Sequence, residues 1–267
     1  MQSAKPSRGT RPQLLGCPID AVDMDEAVAR CEQAIVSRRY LQHMSINAAK
    51  LVALAGDAEL RRAVETCDLI TADGQSVVWA GRLLGVRLPE RVAGIDLMER
   101  LLAAANENGH AVYILGARPE VLETAIARLR ERYPRLRIAG ARDGYYADSE
   151  VDRVCEEIRG AKPDILFVAM SSPRKEYFLD SRGGDLGVPF AMGVGGSVDV
   201  LAGITRRAPR PLQRLGLEWA YRLIQEPRRL AGRYLRTNGR FAWMVLRAAL
   251  TRRGSGDAAG APSEPTA

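Results

Sequence analysis

Apolar and polar positions recur along this chain in two periods, and the switches between them mark out its elements. Helical spacing runs through AVDMDEAVARCEQAIVS, with acids early, where a helix N-terminus favours them. YLQHMSINA reads as a short strand ending in polar residues, AAKLVALAGDAELRRAVETC as one or two helices, and LITADG as a strand entering a turn at Asp73-Gly74. QSVVWAGRLLG predicts a helix closed by Gly85, and GIDLMERLLAAANENG another closed by Gly109. From there the alternation is regular. A strand over 111–116 leads to a helix over 119–133 with Pro119 near its first turn. LRIAGA is a strand, SEVDRVCEEIRGA a helix, 164–170 a strongly apolar strand, RKEYFLDSR a short helix and 189–194 another buried strand.

Near-continuous apolar strands separated by amphipathic helices imply a parallel sheet covered on both faces. The expected fold is α/β: a Rossmann-like parallel sheet with helices on both faces over residues 12–203. Residues 204–253 predict an appendage of two or three helices, broken at Pro227 and around Asn238-Gly239. Residues 254–267 carry small and Gly/Pro-rich positions without large apolar groups, and are expected to be disordered.

Composition and charge narrow this picture. A chain of 267 residues suits one α/β domain plus an appendage and is short for two full domains. Cys17, Cys31, Cys67 and Cys155 are scattered, which favours free or buried thiols in a reducing compartment over a disulfide scaffold. His43 and His110, the only histidines, lie far apart in sequence and argue against a histidine metal site. No apolar run reaches signal-peptide or membrane-span length, so the expected location is the cytoplasm. The net charge of +7 hides an asymmetry. Residues 204–253 hold 13 arginines against two acids, a local charge of +11, which leaves −4 on the remainder. A mildly acidic body carries a strongly basic appendage.

In a parallel α/β sheet, ligands bind at the carboxyl ends of the strands, so the polar or glycine-rich turns there are the candidates. They are 45–47, 72–74, 116–118, 143–145, 171–176 and 193–199. In GVGGSVD the glycines let backbone N–H groups approach a phosphate, or simply permit a tight strand-to-helix turn. No G-x-G-x-x-G follows a first strand and no P-loop occurs, which disfavours a nicotinamide dehydrogenase or a P-loop nucleotidase. Asp73 at its strand end serves either as a turn cap or as a general base reaching a substrate hydroxyl. Arginines interleaved with Leu, Trp, Tyr and Phe suit an anionic lipid surface or a pyrophosphate. Nucleic acid is the competing polyanion, and a non-catalytic nucleic-acid-binding module is the alternative reading. The base-stacking platform or reading fold it needs is not evident, so no nucleic-acid partner is expected. The basic helices also offer a surface for a homo-oligomer interface.

Taken together, ADGQSVVWAGRLLG, LPERVAGIDLMERLL, VYILGARPEV, RDGYY, KPDILFVAMSSPRKE, MGVGGSVDVLAG and RRAPRPLQRLGLEWAYRLIQEPRRLAGRYL resemble the WecG/TagA/CpsF glycosyltransferase family, glycosyltransferase family 26. The resemblance spans roughly residues 45–235 in order. It implies a Rossmann-like fold of the type called GT-E, a UDP-sugar donor, no cofactor and no metal requirement. It implies an inverting transfer of a hexose or an N-acetylhexosamine, such as N-acetylmannosamine. The acceptor would be an undecaprenyl-pyrophosphate-linked sugar at the inner face of the plasma membrane. The products would be teichoic-acid linkage units or other cell-surface polysaccharides.

Carried over by position, Asp73 matches the family's proposed catalytic base, and Ser45 stands where many members have a catalytic-site threonine. Asn47 matches the asparagine of that motif and would help hold the donor. Gly195, Gly196 and Ser197 would cradle the UDP pyrophosphate, with Asp199 ordering the loop or touching the nucleotide. The appendage matches a membrane-targeting segment that also supplies active-site arginines, for which Arg207, Arg214 and Arg222 are the choices. One departure bears on the donor site. Many members read GSPKQE where this chain reads SSPRKE over 171–176, so Lys175 replaces an amide with a donor-only cation.

Overall fold

A computed structural model describes residues 11–225 and 227–257. The chain opens with a two-residue antiparallel ladder, β1 (Gln13–Leu14) on β2 (Cys17–Pro18), which the periodic pattern does not predict. Helix α1 (Met24–Val36) starts at a reciprocal capping box between Asp23 and Glu26. Strand β3 (Leu41–Ile46) leads to α2 (Ala48–Leu54) and α3 (Ala58–Thr66), capped by Asn47 and Asp57. Then come β4 (Leu69–Ala72), α4 (Gln75–Leu83) and α5 (Gly94–Asn108), the last ended by Gly109 in the left-handed conformation. The remaining repeats are β5 (Ala111–Gly116), α6 (Pro119–Arg132), β6 (Arg137–Arg142) and α7 (Val151–Ala161), followed by β7 (Ile165–Ala169), α8 (Arg174–Arg182), β8 (Phe190–Gly193) and α9 (Ser197–Leu201).

Strands β3 to β8 form one six-stranded parallel sheet in the order β4-β3-β8-β7-β5-β6. This is the expected Rossmann-like α/β sheet. Side chains alternate between its faces. Val112, Ile114, Ile165, Phe167, Phe190 and Met192 meet α1, α5 and α6 on one face. Tyr113, Leu115, Leu166, Val168 and Ala191 meet α7 and α8 on the other. A third cluster joins Met44, Ile46 and Ile70 to α2, α3 and α4. Each fully buried side chain of this size contributes on the order of 1.5–3 kcal/mol, which explains why the strands read as unbroken apolar runs.

The appendage comprises α10 (Arg210–Arg214), α11 (Glu218–Gln225) and α12 (Pro227–Asp257). The predicted break around Asn238-Gly239 is absent, because α12 runs straight through it. A glycine in a helix interior costs about 1 kcal/mol. Phe241 and Val245, both buried in the α2–α4 cluster, anchor the same turns and outweigh it. Helix α12 extends to Asp257, into the segment expected to be disordered, and residues 258–267 lie outside those described. All four cysteines are free and buried. Among the described residues, no helix is long and apolar enough to cross a membrane.

Candidate functional site

Register places the first site residues side by side. Ser45 pairs with Thr71 and Ile46 with Ala72, so Asn47 and Asp73 leave the sheet together at its carboxyl edge. The Asp73 amide donates to the Ile46 carbonyl at 2.8 Å, tying the two exits. The loop ahead of α5 is fastened over them. Val92 donates its N–H to the Ala72 carbonyl at 2.9 Å and accepts from the Thr71 hydroxyl at 3.3 Å. That hydroxyl in turn meets His43 Nε2 at 2.9 Å.

Gly94, the first residue of α5, then sits directly above the strand ends. A Cβ at Gly94 would stand 3.1 Å from Ser45 Oγ and 3.9 Å from Asp73 Oδ2. The hydroxyl and carboxylate chosen from sequence therefore converge on one small space, kept open by a missing side chain. Asp73 precedes Gly74, which opens α4 with φ 116 and no side-chain cap. Asn47 also has a structural task, since its Oδ1 accepts from the Lys50 amide at 3.0 Å and starts α2.

The glycine turn after β8 forms the neighbouring part of the rim. Gly195 adopts φ 50 and donates to the Val168 carbonyl at 3.3 Å, while Ser197 donates to Val194 at 3.1 Å. Gly196 precedes α9, and the Asp199 carboxylate folds back to within 3.6 Å of the point a Gly196 Cβ would take. Lys175 lies along this turn. A Cβ at Gly193 would approach Lys175 Cδ to 2.9 Å, and one at Gly195 would be 4.0 Å from Nζ. The turn thus brings Gly195, Gly196, Ser197, Asp199 and Lys175 together, with the lysine stem packed against Gly193.

Beneath it lies a buried charge cluster that the sequence reading missed. Lys50 and Lys175 both place Nζ 2.9 Å from Glu176 Oε1, and Lys50 also donates to the Ser45 carbonyl at 2.8 Å. Burial alone would raise the Glu176 pKa, but the two ammoniums outweigh it and bring it down to about 2. Lys175 is shifted downward, first by burial and then by Lys50. The available signal was the single lysine in the apolar helix AAKLVAL, whose charge needs a partner once that helix is packed.

Of Arg207, Arg214 and Arg222, Arg207 is the one whose side chain is among those described. It meets Asp96 at 2.6 Å and Gln213 at 3.2 Å, and its buried Nε faces no acceptor among the described residues. Asp96 is shared with Arg91, which also reaches Glu218 at 3.4 Å. Arg91, two residues before Ala93-Gly94, is a second missed residue; the motif LPERVAG carried it. Gly216 closes the approach from above, since a Cβ there would be 2.8 Å from Gln75 and 3.2 Å from Trp79. The appendage is therefore seated beside the Asp73 edge. Arg214 and Arg222 fall in α10 and α11, and their side chains lie outside the described residues.

A carboxylate beside a hydroxyl, a glycine turn with a cation, and a flanking arginine network suit transfer of a group from an anionic leaving group to a hydroxyl. Among the described residues, no three of His, Cys, Asp or Glu are grouped as metal ligands would be. Residues 12–255 match the glycosyl transferase WecG/TagA/CpsF family model, and the chain belongs to that family of glycosyltransferases, which act on sugar donors and acceptors in cell-surface polysaccharide synthesis.

Proposed function

We propose that this glycosyltransferase moves a hexose or N-acetylhexosamine from a UDP-sugar to a polyprenyl-pyrophosphate-linked sugar, with inversion and without a metal ion. The observation that carries this reading is the convergence of Ser45 and Asp73 on the space left by the missing side chain of Gly94. Asp73 acts as general base, taking the proton of the acceptor hydroxyl as that oxygen attacks the anomeric carbon. The C–O bond to UDP breaks as the new glycosidic bond forms, and UDP leaves with the bonding pair. Ser45 hydrogen-bonds the reacting sugars. Asn47 helps hold the donor, and Gly195, Gly196, Ser197, Asp199 and Lys175 frame its diphosphate. Arg207, with Arg214 and Arg222, supplies charge for the leaving group and for the acceptor pyrophosphate.

The same reading places the enzyme at the inner face of the plasma membrane. Trp243, Leu246 and Leu250 are exposed and recur at helical spacing on α12, opposite the buried Phe241 and Val245. Exposed Arg240 and Arg247 border that stripe, as an interfacial helix requires. Residues 12–203 act as the transferase core and 204–253 as the membrane-associating appendage. A homo-oligomer would use the same basic surface.

A panel of UDP-sugars assayed with lipid-pyrophosphate-linked acceptors, without added divalent ion, tests the reading. Asp73→Asn should lower turnover by about 10²- to 10⁴-fold while UDP still binds. Turnover at the parental rate in that variant rules out Asp73 as the base.

A further inference from the structure

The Lys50–Glu176–Lys175 cluster holds more positive charge than it neutralises. Two ammoniums share one carboxylate, all three side chains are about nine-tenths buried, and both nitrogens crowd the same oxygen, Oε1. Glu176 Oε2 has no hydrogen-bond partner among the described residues, nor has Nδ1 of His43. Glu176 and His43 both line a cavity of about 10 Å³, shared with Gly193, Met44 and Leu179, with room for roughly one water. An excess buried charge is unfavourable unless something of opposite sign completes it.

The two lysines are not equivalent. Lys50 is fixed at two points, the Ser45 carbonyl and Glu176, and sits within the first turn of α2. Lys175 has Glu176 as its one partner among the described residues, and its stem runs over Gly193 to bring Nζ beside Gly195. It is the ammonium with a short route to the turn.

We propose that Lys175 is the movable cation of the donor-diphosphate subsite, parked on Glu176 in the free enzyme, and that Lys50 is the fixed counter-charge that lets Glu176 release it. When a diphosphate settles at the glycine turn, Lys175 turns from Oε1 to a phosphate oxygen. Glu176 stays compensated by Lys50, so no buried carboxylate is stranded. Lys50 and Glu176 are positioning residues in this arrangement. The inference rests on the donor reading above for the identity of the diphosphate.

The charged groups around Lys175 define its titration. Lys50 faces it from α2 and Glu176 from α8, while His43 of β3 lines the same cavity and is held neutral, its pKa pushed down to about 3 by burial and by Lys50. Elsewhere on α8, Tyr177 and Asp180 are engaged with Asp57 and Arg62 of α3. Affinity supplied by the ammonium is present below the Lys175 pKa and lost as pH rises through it. Removing Glu176 lowers that pKa further, and removing Lys50 raises it.

Calorimetric titration of the full chain with UDP, uridine and inorganic pyrophosphate tests the arrangement. Lys175→Gln should weaken UDP and pyrophosphate by about 10- to 100-fold and leave uridine unchanged, a control that also reports an intact fold. Glu176→Gln should move the alkaline loss of UDP affinity to lower pH, and Lys50→Met to higher pH, opposite shifts that a merely structural role does not produce. Equal UDP affinity in Lys175→Gln and the parent overturns the inference while leaving the donor reading standing. Shifts of the same sign in the two partner variants, or none, overturn it as well. Lys175-dependent binding of pyrophosphate with no binding of UDP would instead sink the donor reading and support the cation site.

Discussion

His43 is the innermost link of a hydrogen-bonded series that reaches the loop ahead of α5. With its one hydrogen directed at the Val92 carbonyl, the Thr71 hydroxyl accepts from His43 Nε2, and this assignment puts the ring proton on Nε2. Burial first, and the Lys50 charge second, hold the ring pKa down to about 3 from an ordinary value of 6.5. The unfolded chain therefore binds a proton that the folded chain refuses. Stability is full above pH 6.5 and drains as pH falls towards 3. Glu176 adds a second acid-labile contribution, present above its ordinary 4.5 and lost towards about 2. The window between 6.5 and 4.5 belongs to His43. Urea denaturation across it should show stability falling by up to about 1.4 kcal/mol per pH unit, and His43→Gln should flatten that slope. An unaltered slope in the variant would remove His43 as its source. None of this was legible in the sequence, where His43 is one polar residue in LQHMSI and its neighbours are 28 and seven positions away.

At the scale of elements, α5 begins against the paired ends of β3 and β4, at Ser45 and Asp73. Its first residue is a glycine with no positive φ, so alanine is permitted there by the backbone and favoured by helix propensity. Space argues the other way, since the added carbon would meet the Ser45 hydroxyl at 3.1 Å and crowd the side of Asp73. Gly94→Ala should therefore lower turnover about tenfold or more, with the melting temperature read alongside to confirm a folded protein. Parental turnover in a folded Gly94→Ala protein would show that the space is not used. Helices were legible from their period and the sheet strands from their near-continuous apolar runs, and the rim turns followed from where strands end. What escaped were elements defined by distant partners. The β1–β2 ladder is too short to have a period, and the Asn238-Gly239 break was overridden by the seat that α2 provides for Phe241. Asp73 was named from its strand end and then from resemblance, and Ser45 from resemblance, but that they share a space at Gly94 is a fact of register and of the Val92 tether.

At the scale of the whole molecule, the appendage is less separable from the core than its composition suggests. Its charge contrast marks it as a distinct segment, yet Phe241 and Val245 complete the α2–α4 cluster, and Arg207 shares Asp96 with Arg91 at the first turn of α5. Cutting the chain after Arg206 would uncover that cluster, so loss of lipid binding by a truncated protein would not separate docking from folding. The exposed stripe separates them. Trp243 and Leu246 point away from the core and touch neither the Asp96 network nor the glycine turn, being 61% and 51% exposed. Replacing both with glutamate removes apolar area and adds two negative charges on the exposed side of α12 alone. Sedimentation with vesicles rich in anionic lipid should then show binding weakened by about tenfold or more, with melting temperature and UDP affinity unchanged. Vesicle binding at the parental level would place the membrane contact elsewhere, or show that the arginines suffice without the stripe. The salt dependence decides between these two: a contact carried by arginines alone weakens steeply with ionic strength, whereas one anchored by Trp243 and Leu246 retains a salt-resistant part.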